Sequence, residues 1–316
     1  MIENKRIGVV VPAHNEERLI GQVLDTMPAF VDRVFVVDDL SGDRTSQIVK
    51  GYEEKWPERF VLIRHFENQG VGGAIVTGYK KAMDEKIDVV AVMAGDAQMH
   101  PADLERIVSP IVRGEADYSK GNRLFRGESW EMIPHYRYLG NSVLSLLTKI
   151  ASGYWHVADS QSGYTAISLI AIRSLNLDAI YKRYGMPNDL LIKLNINNFR
   201  VKDVSVRPIY NIGEKSGIRL GKVVPKISWL LLKGFLNRML QKYIIRDFHP
   251  LVFFYFLGIS LTPPGLLLGA YLFVLRLMGY HVTPVSALFA AFLIISGFQS
   301  LFFAMWFDME YNKHLK

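Results

Sequence analysis

Cysteine is absent from the chain of 316 residues. That absence excludes disulfide bonds, thiolate nucleophiles, and zinc or iron–sulfur centres held by cysteine. The N-terminus also lacks the long apolar run and small-residue cleavage site of a signal peptide, so we expect the first domain to stay in the cytosol. Half of the residues are hydrophobic and 21% are charged, which indicates a folded protein rather than a disordered one.

Charge is nearly absent from the C-terminal part of the chain. Residues 251–307 hold one charged side chain, Arg276, and the uncharged stretch on each side of it exceeds the roughly 20 residues needed to cross a bilayer core. We therefore predict a transmembrane hairpin with spans at about 251–275 and 283–307, in a segment of residues 249–316 that ends in a short cytosolic tail. A buried helical hairpin in a soluble protein is the less favoured alternative.

The segment before the hairpin is both basic and apolar. From Lys215 to Arg246 there are eight Lys or Arg residues and no acid, interleaved with aliphatic and aromatic side chains. This composition predicts basic amphipathic interface helices over residues 213–248, and a solvated helix packed on the enzyme is the alternative. Because the basic residues do not share one helical face, two short helices are favoured over one. Positive charge on both sides of the hairpin predicts that its two ends and the catalytic domain face the cytosol.

Residues 1–212 alternate short apolar runs with helical stretches, which predicts an α/β domain with a mainly parallel sheet. Four runs lack polar alternation and therefore predict strands that are covered on both faces: 7–11, 34–37, 60–63 and 89–93. Helical spacing follows at residues 16–27, 43–55 and 72–86. Open sheets of this kind bind ligands beyond the carboxyl ends of their strands, so the functional residues should lie there.

Polar and glycine-rich motifs stand at three of these strand ends. Asp38 and Asp39 end the second strand, and the turn Asn68-Gln-Gly-Val-Gly-Gly-Ala after the third opens a helix whose N–H groups could receive an anion. Asp96 and Gln98 follow the fourth strand, where their oxygens could hold a hard divalent cation bound mainly by phosphates and water. Each motif alone is equally explained by a solvated turn or a helix cap. The glycine turn matches neither a P-loop nor a dinucleotide fingerprint.

Together and in this order, the motifs resemble those of glycosyltransferase family 2, inverting enzymes with the nucleotide-sugar-binding fold called GT-A. Val10-Val-Pro-Ala-His-Asn-Glu-Glu17 is similar to the family's VPxxNE strand and turn, and Val37-Asp-Asp39 is similar to its nucleoside contact. Asp96 is similar to the metal-binding acid of its DxD-type motif. In the polyprenyl-phosphate branch of the family this motif reads Asp-x-Asp-x-Gln, and here Ala94 replaces the first acid.

The resemblance implies a role for each matching residue. Asp96 with Gln98 would bind Mg²⁺ or Mn²⁺, and Arg123 with Arg137 would engage the lipid phosphate, which makes Asp96 and the two arginines the candidate catalytic residues. The implied nucleotide-sugar contacts are Pro12, Asn15, Glu16, Asp38, Asp39, Asn68, Gly70, Gly73, Asp96, Ala97 and Gln98. Asp159-Ser-Gln-Ser-Gly-Tyr164 resembles the branch's DxxSGF strand, with Gln161 and Tyr164 as variations. The implied acceptor contacts besides the two arginines are Asn141, Asp159, Ser162, Lys215 and Arg219.

The resemblance further implies transfer of a hexosyl group from a UDP- or GDP-sugar to dolichyl or undecaprenyl phosphate, with inversion, at the cytosolic face of the cell membrane or endoplasmic reticulum. A phosphate monoester, with a second pKa of about 6, is already anionic near neutral pH and needs no strong general base. Expected partners are the nucleotide sugar, the lipid phosphate and the membrane. Nucleic acid is not expected, because the basic excess lies beside the spans. A homo-oligomer is left open.

Two other functions compete with this one. A membrane polysaccharide synthase is disfavoured because such enzymes carry a Gln-x-x-Arg-Trp motif, and no Arg-Trp pair occurs here. A non-catalytic membrane-anchored scaffold that binds nucleotide sugars is kept open by Ala94, since the loss of one acid weakens the expected metal site.

Overall fold

The computed structural model describes residues 1–123, 135–207, 209 and 220–316, with side chains described for all of these except 135–139, 141 and 220–223. The chain forms two compact units. The first consists of Met1–Phe235 with Leu315–Lys316, and the second of Leu236–His314.

The first unit is built on a sheet whose described strands number seven, in the order β3-β2-β1-β4-β6-β5-β7. The strands are β1 (Ile7–Ala13), β2 (Arg33–Asp38), β3 (Phe60–Arg64), β4 (Val89–Val92), β5 (Tyr118–Asn122), β6 (Thr165–Ser168) and β7 (Val201–Ser205). β1 to β4 pair in parallel, which confirms the four predicted strands. β6 is antiparallel to both β4 and β5, so β5 again runs in the direction of β4. The carboxyl ends of β1, β2, β4 and β5 therefore lie at the same edge of the sheet.

Helices cover both faces of this sheet. They are α1 (Ile20–Asp25), α2 (Thr45–Lys55), α3 (Val71–Asp84), α4 (Leu104–Val112), α5 (His135–Ser152), α6 (Leu169–Ser174) and α7 (Met186–Ile196). Pro101 opens a 3₁₀ turn, Pro101–Asp103, directly before α4.

Successive residues of the central strands enter different cores. Val10 of β1 packs with side chains of α3 and α7, whereas Val9 and Val11 pack with side chains of α1 and α4. Every residue of β1 is buried, which explains why its sequence shows no polar alternation. Gly78 of α3 allows the helix to approach this strand closely, because an added Cβ would lie 2.3 Å from Val10 Cγ1. The strand ends that carry the polar motifs are thus held by packing on both sides.

The basic segment forms one helix, α8 (Leu220–Leu240), which continues into a π-helix, Gln241–Arg246. The prediction of two short helices is therefore wrong over the described residues. The reason is that the basic residues do not mark the exposed side of the helix, since Arg238 and Lys242 are buried. The buried side of α8 instead carries Ile227 and Leu231, which pack with α5 and α7.

An apolar stripe runs along the exposed side of α8. At intervals of three or four residues it presents Trp229, Leu232, Leu236 and Leu240, all of them exposed. Lys226 and Lys233 are also exposed on this helix. The exposed side of the helix thus carries a regular apolar stripe with basic residues beside it.

The second unit contains two long apolar helices, α9 (Leu251–Leu277) and α10 (Pro284–Tyr311). Each is long and apolar enough to cross a membrane. They meet at small residues: a Cβ on Gly297 would lie 2.4 Å from Thr262 Oγ1, and a Cβ on Gly265 would lie 2.9 Å from the backbone N of Ile294. Close approach through small residues is typical of helix pairs in membranes.

A buried ion pair lies within the second unit. The Arg238 guanidinium donates to both carboxylate oxygens of Asp308, over 2.7 and 3.0 Å, and neither side chain is exposed. The Tyr243 hydroxyl donates to Asp308 at 2.5 Å, and Lys242 Nζ donates to Asn312 Oδ1 at 2.8 Å. These bonds join the end of α8 and the π-helix to the end of α10.

Candidate active site

Two carboxyl groups at the ends of β1 and β4 interact electrostatically. Glu16 follows β1, and its backbone N–H donates to Thr45 Oγ1 at 2.8 Å. Burial, and then the negative charges of Asp96 and Asp43, raise the pKa of Glu16 to about 7. Like charges that perturb each other in this way would be relieved by a cation between them. The structure therefore brings Asp96 together with Glu16, which had been predicted to contact the nucleotide sugar.

The groups around Asp96 suit a phosphate-bound divalent ion. Among the described residues no cluster of three or more His, Asp or Glu side chains could enclose a metal. Mg²⁺ and similar ions commonly bind through one or two carboxylates and complete their coordination with phosphate oxygens and water. Asp96 Oδ1 accepts the Gln98 N–H at 3.1 Å, and Ala97 between them has a φ of 57°, so a tight turn holds the acid. Asp96 and Glu16 would hold such an ion, with Gln98 contributing its backbone to the turn.

Asp39 is engaged by the protein itself. Its carboxylate accepts the N–H groups of Gln69 at 2.8 Å and Gly70 at 2.7 Å. His65 Nδ1 lies 2.8 Å from the same carboxylate, and His65 Nε2 lies 2.9 Å from Thr77 Oγ1. Sequence analysis predicted that the glycine-rich turn offers its N–H groups to a ligand anion, but in the structure the anion at these two groups is the Asp39 side chain.

The other side of the glycine-rich turn is held by residues 181–183. Gly70 has a φ of 83°, and an added Cβ would lie 2.7 Å from the carbonyl oxygen of Lys182. The Gly73 N–H donates to that same oxygen at 3.1 Å, and the Arg183 guanidinium donates to Asn68 Oδ1 at 3.1 Å. Lys182 and Arg183 were missed by sequence analysis, because nothing in the local sequence relates them to a turn more than 100 residues away.

Asp38 and Asn15 support the turn that follows β2. The buried Asp38 carboxylate accepts the Ser41 N–H at 2.9 Å and the Ser46 hydroxyl. Asn15, with a φ of 58°, accepts the Gly42 N–H at 2.8 Å through Oδ1. Pro12 is buried within β1 opposite Val37. These residues position the loops around Glu16, and Asn15 remains exposed at the surface of the site.

A fixed guanidinium lies at the end of β5. Arg123 donates to Asp159 through Nε at 2.7 Å and through Nη2 at 3.1 Å, and its backbone N–H donates to the same carboxylate at 3.2 Å. Burial acts to raise the pKa of Asp159, but the charge and hydrogen bonds of Arg123 outweigh it and hold that pKa below its usual value. The two predicted acceptor residues are thus in contact, with Asp159 orienting Arg123.

Two further titratable groups, the buried Lys120 and the half-buried Asp203, lie near this pair. The Lys120 ammonium donates to the carbonyl oxygen of the buried Ser162, and burial lowers the pKa of Lys120 to about 8. Asp203 accepts the Ala158 N–H at 2.8 Å and the Asn122 side chain at 3.0 Å, and burial raises its pKa to about 6. Sequence analysis predicted no role for Lys120 or Asp203. Of the remaining predicted acceptor residues, the side chains of Arg137 and Asn141 and the whole of Lys215 and Arg219 lie outside the described residues.

Residues 8–174 match the family model described as glycosyl transferase family 2. The chain belongs to glycosyltransferase family 2. A UDP-N-acetylglucosamine–dolichyl-phosphate N-acetylglucosaminyltransferase of Methanococcus voltae is 32% identical over 219 residues, covering 66% of this chain and 87% of that protein. An undecaprenyl-phosphate mannosyltransferase of Micrococcus luteus is 28% identical over 231 residues, covering 71% of this chain and 93% of that protein. The family predicted from the strand-end motifs is confirmed.

A solved structure of another enzyme confirms the fold. Glucosyl-3-phosphoglycerate synthase from Mycobacterium tuberculosis, crystallised with Mn²⁺, UDP and glucosyl-3-phosphoglycerate, aligns with a TM-score of 0.52 at 23% identity. The alignment covers 74% of this chain and 80% of the synthase. The first unit thus has the predicted GT-A architecture.

The bonds to Asp39 predict a large loss of stability when its carboxylate is removed. In Asp39→Ala the N–H groups of Gln69 and Gly70 lose a buried acceptor, which should cost about 3 kcal/mol and lower the unfolding temperature by about 6–12 °C. Thermal unfolding of the full-length protein in detergent measures the change. Asp178→Ala, which removes an exposed ion pair with Lys80, is the control and should shift it little. Equal unfolding temperatures for the two variants would contradict the structural role of Asp39.

Proposed function

We propose that the chain transfers a hexosyl group from a UDP- or GDP-sugar to a polyprenyl phosphate, with inversion at the anomeric carbon. The observation that carries the proposal is that Arg123, held by Asp159, follows β5 at the sheet edge that also carries Asp96 and Glu16. A cationic group for an acceptor phosphate and an acidic site for a metal-bound diphosphate thus share one edge. The acceptors in the names of the relatives, dolichyl and undecaprenyl phosphate, support this reading.

Asp96 and Glu16 would hold Mg²⁺ or Mn²⁺ in this proposal, with Gln98 fixing the Asp96 turn. The ion supplies positive charge to the diphosphate as it departs. Asp38 and Asp39 hold the loops that enclose the nucleoside rather than contacting it through free carboxylates. Asn15, Asn68 and Gly70 belong to those loops, Gly73 lies in the first turn of α3, Ala97 lies in the Asp96 turn, and Pro12 is buried in β1.

The acceptor side requires orientation more than acid–base chemistry. A phosphate oxygen of the lipid attacks the anomeric carbon, a new C1–O bond forms, and the bond from C1 to the donor's diphosphate breaks to release the nucleoside diphosphate. Arg123 is suited to align the attacking phosphate, because Asp159 already fixes its planar guanidinium. Arg137, Asn141, Lys215 and Arg219 are proposed as further acceptor contacts, and Ser162 as part of the supporting strand.

The membrane arrangement follows from the acceptor. We place a catalytic domain at residues 1–212 and interface helices at 213–248, with a hairpin at 249–316 crossing the membrane twice and the catalytic domain on the cytosolic side. The exposed apolar stripe of α8 suits the bilayer surface, and α9 and α10 have the length and composition of spans. A lipid acceptor then reacts while its isoprenoid tail stays in hydrocarbon.

A transfer assay tests the proposal. Purified full-length protein is incubated with labelled UDP-glucose, UDP-N-acetylglucosamine or GDP-mannose, a divalent metal, and dolichyl or undecaprenyl phosphate. We expect one donor to give an organic-extractable sugar whose formation needs both metal and lipid phosphate. Absence of such a product with every donor would refute the proposal. Calorimetric binding of a nucleotide sugar under those conditions would then favour the scaffold alternative.

A further inference from the structure

A pair of amide side chains, Gln161 and Asn188, adjoins Asp159. Gln161 Nε2 donates to Asn188 Oδ1 at 3.0 Å and to Ser160 Oγ at 2.7 Å. The Gln161 backbone N–H donates to Asp159 Oδ1 at 3.2 Å, which ties this residue to the group that orients Arg123. Both N–H bonds of the Gln161 side chain are therefore in use. Among the described residues no group donates to its Oε1.

Asn188 lies in the first turn of α7 and accepts the hydrogen bond from the Gln161 side chain. It is fully buried, and its Oδ1 also accepts the Thr148 hydroxyl at 3.3 Å. Its Nδ2 is buried without a hydrogen-bond partner among the residues that the structure describes. An unsatisfied buried amide of this kind costs free energy and is unusual outside functional sites. An apolar residue would fill the position without that cost, so the polar pair points to a ligand.

The amide pair adjoins the acceptor side of the site, and the helix that carries Asn188 also contacts the glycine-rich turn. The start of α7 packs on the glycine-rich turn, since a Cβ on Gly72 would lie 2.9 Å from Met186 Cβ. Asn188 is two residues from Met186, and its partner Gln161 is bonded to Asp159 on the acceptor side. The sugar that moves from diphosphate to lipid phosphate must occupy the space between these two sides. Gln161 is half-buried, so it is the member of the pair that can reach a ligand.

We propose that Gln161 recognises the transferred sugar, with Oε1 accepting a hydrogen bond from a ring hydroxyl or an acetamido N–H, and that Asn188 is a positioning residue for Gln161. The inference rests on the proposed function and adds a specificity determinant to it. An acceptor oxygen whose orientation is fixed by two other bonds discriminates strongly, because a sugar that lacks the matching donor leaves it unpaired. The preferred donor is therefore a hexose or N-acetylhexosamine with a hydrogen-bond donor at this position, and its deoxy analogue is a poor substrate.

The test combines two variants with a set of deoxy donors. The full-length protein, Gln161→Leu and Gln161→Glu are assayed for kcat/KM with the best donor sugar and with each monodeoxy analogue. We expect Gln161→Leu to lower kcat/KM for the parent sugar by about 10- to 100-fold and to leave it within about threefold for one analogue, the one that lacks the recognised group. Gln161→Glu keeps an acceptor oxygen and should retain more of the discrimination than Gln161→Leu.

Variants of Asn188 test its positioning role. Asn188→Leu should reduce discrimination between the parent sugar and the same analogue, and Asn188→Asp, which keeps an acceptor for Gln161 Nε2, should restore it in part. An equal loss of kcat/KM for all donors in Gln161→Leu would overturn the inference. So would unchanged discrimination between the parent sugar and its deoxy analogues in that variant. Calorimetric affinities for UDP and UDP-sugar decide the case without turnover: a variant that loses affinity for the sugar nucleotide and not for UDP supports sugar recognition. Failure of the transfer assay itself would refute only the proposed function.

Discussion

Replacing Asp96 by asparagine should lower the rate of sugar transfer by about 10³-fold. The sequence motif around this strand end has Ala94 where related motifs have an acid, so the proposed metal site depends on Asp96 with Glu16. Asparagine preserves the shape of the side chain and one oxygen for the Gln98 N–H. It removes the negative charge that an ion requires. Initial rates of lipid-linked sugar formation, measured over a range of Mn²⁺ concentrations, give the result.

The matched control for this variant is Asp178→Asn. Asp178 is exposed in its ion pair with Lys80, so its replacement should leave rate and metal dependence unchanged. Both variants should unfold at nearly the same temperature as the parent protein, because Asp96 is only half-buried and its carboxylate is proposed to bind the ion. A rate for Asp96→Asn within threefold of the parent rate, with the same metal dependence, would show that Asp96 is not the metal ligand.

The second large effect is expected in the unit of residues Leu236–His314. Replacing Asp308 by leucine leaves Arg238 buried with its positive charge uncompensated, which should lower the free energy of unfolding by about 3–5 kcal/mol. The loss should appear as a fall of about 10 °C or more in the unfolding temperature of this unit. Thermal unfolding in detergent, followed by the onset of proteolysis, provides the measurement.

A double variant separates the ion pair from simple packing. Arg238→Met combined with Asp308→Leu removes both charges, so it should be more stable than Asp308→Leu alone. Glu310→Ala, which removes an exposed ion pair with Lys313, is the control and should change the unfolding temperature little. If the loss of stability in the double variant, relative to the parent protein, equalled the sum of the losses in the two single variants, the two side chains would not be coupled and the structural account of this cluster would be wrong.

The parallel half of the sheet could be predicted because its strands are buried on both faces and therefore apolar throughout. β5, with the sequence Tyr-Ser-Lys-Gly-Asn, could not be predicted in the same way. Its Lys120 is buried only because the Ser162 carbonyl, 42 residues away, accepts its hydrogen bond. β6 runs antiparallel to its neighbours, a direction that no local pattern encodes.

The site could be located from the sequence but its internal bonds could not. The strand-end motifs correctly indicated the family, and Arg123 and Asp159, named separately as acceptor residues, proved to be partners. The hydrogen bonds from the glycine-rich turn to the Asp39 carboxylate were not predicted. An acid that follows a strand can equally bind a ligand or accept from neighbouring N–H groups. Which of these it binds depends on how β2 and β3 pair, which places the turn next to the carboxylate.

The basic residues of α8 obscured both its continuity and the identity of its exposed side. Counting basic residues suggested two faces and hence two helices, although Arg238 lies in the protein interior opposite Asp308. The regular spacing of Trp229, Leu232 and Leu236 was the better guide to the exposed side. Regular apolar spacing marks one side of a helix. A long basic side chain, in contrast, can lie in the interior and pair with an acid that is distant in sequence.

The central claim is that the diphosphate of a sugar donor and the phosphate of a lipid acceptor meet at the edge of the sheet where β1, β4 and β5 end. A structure of the full-length protein with Mn²⁺ and the preferred sugar nucleotide, with anomalous scattering used to locate the ion, tests it most directly. We expect one manganese peak at about 2.1 Å from an Asp96 carboxylate oxygen, bound also by the diphosphate, with the sugar directed toward Arg123. Donor and ion bound away from Asp96 and Glu16 would contradict the account.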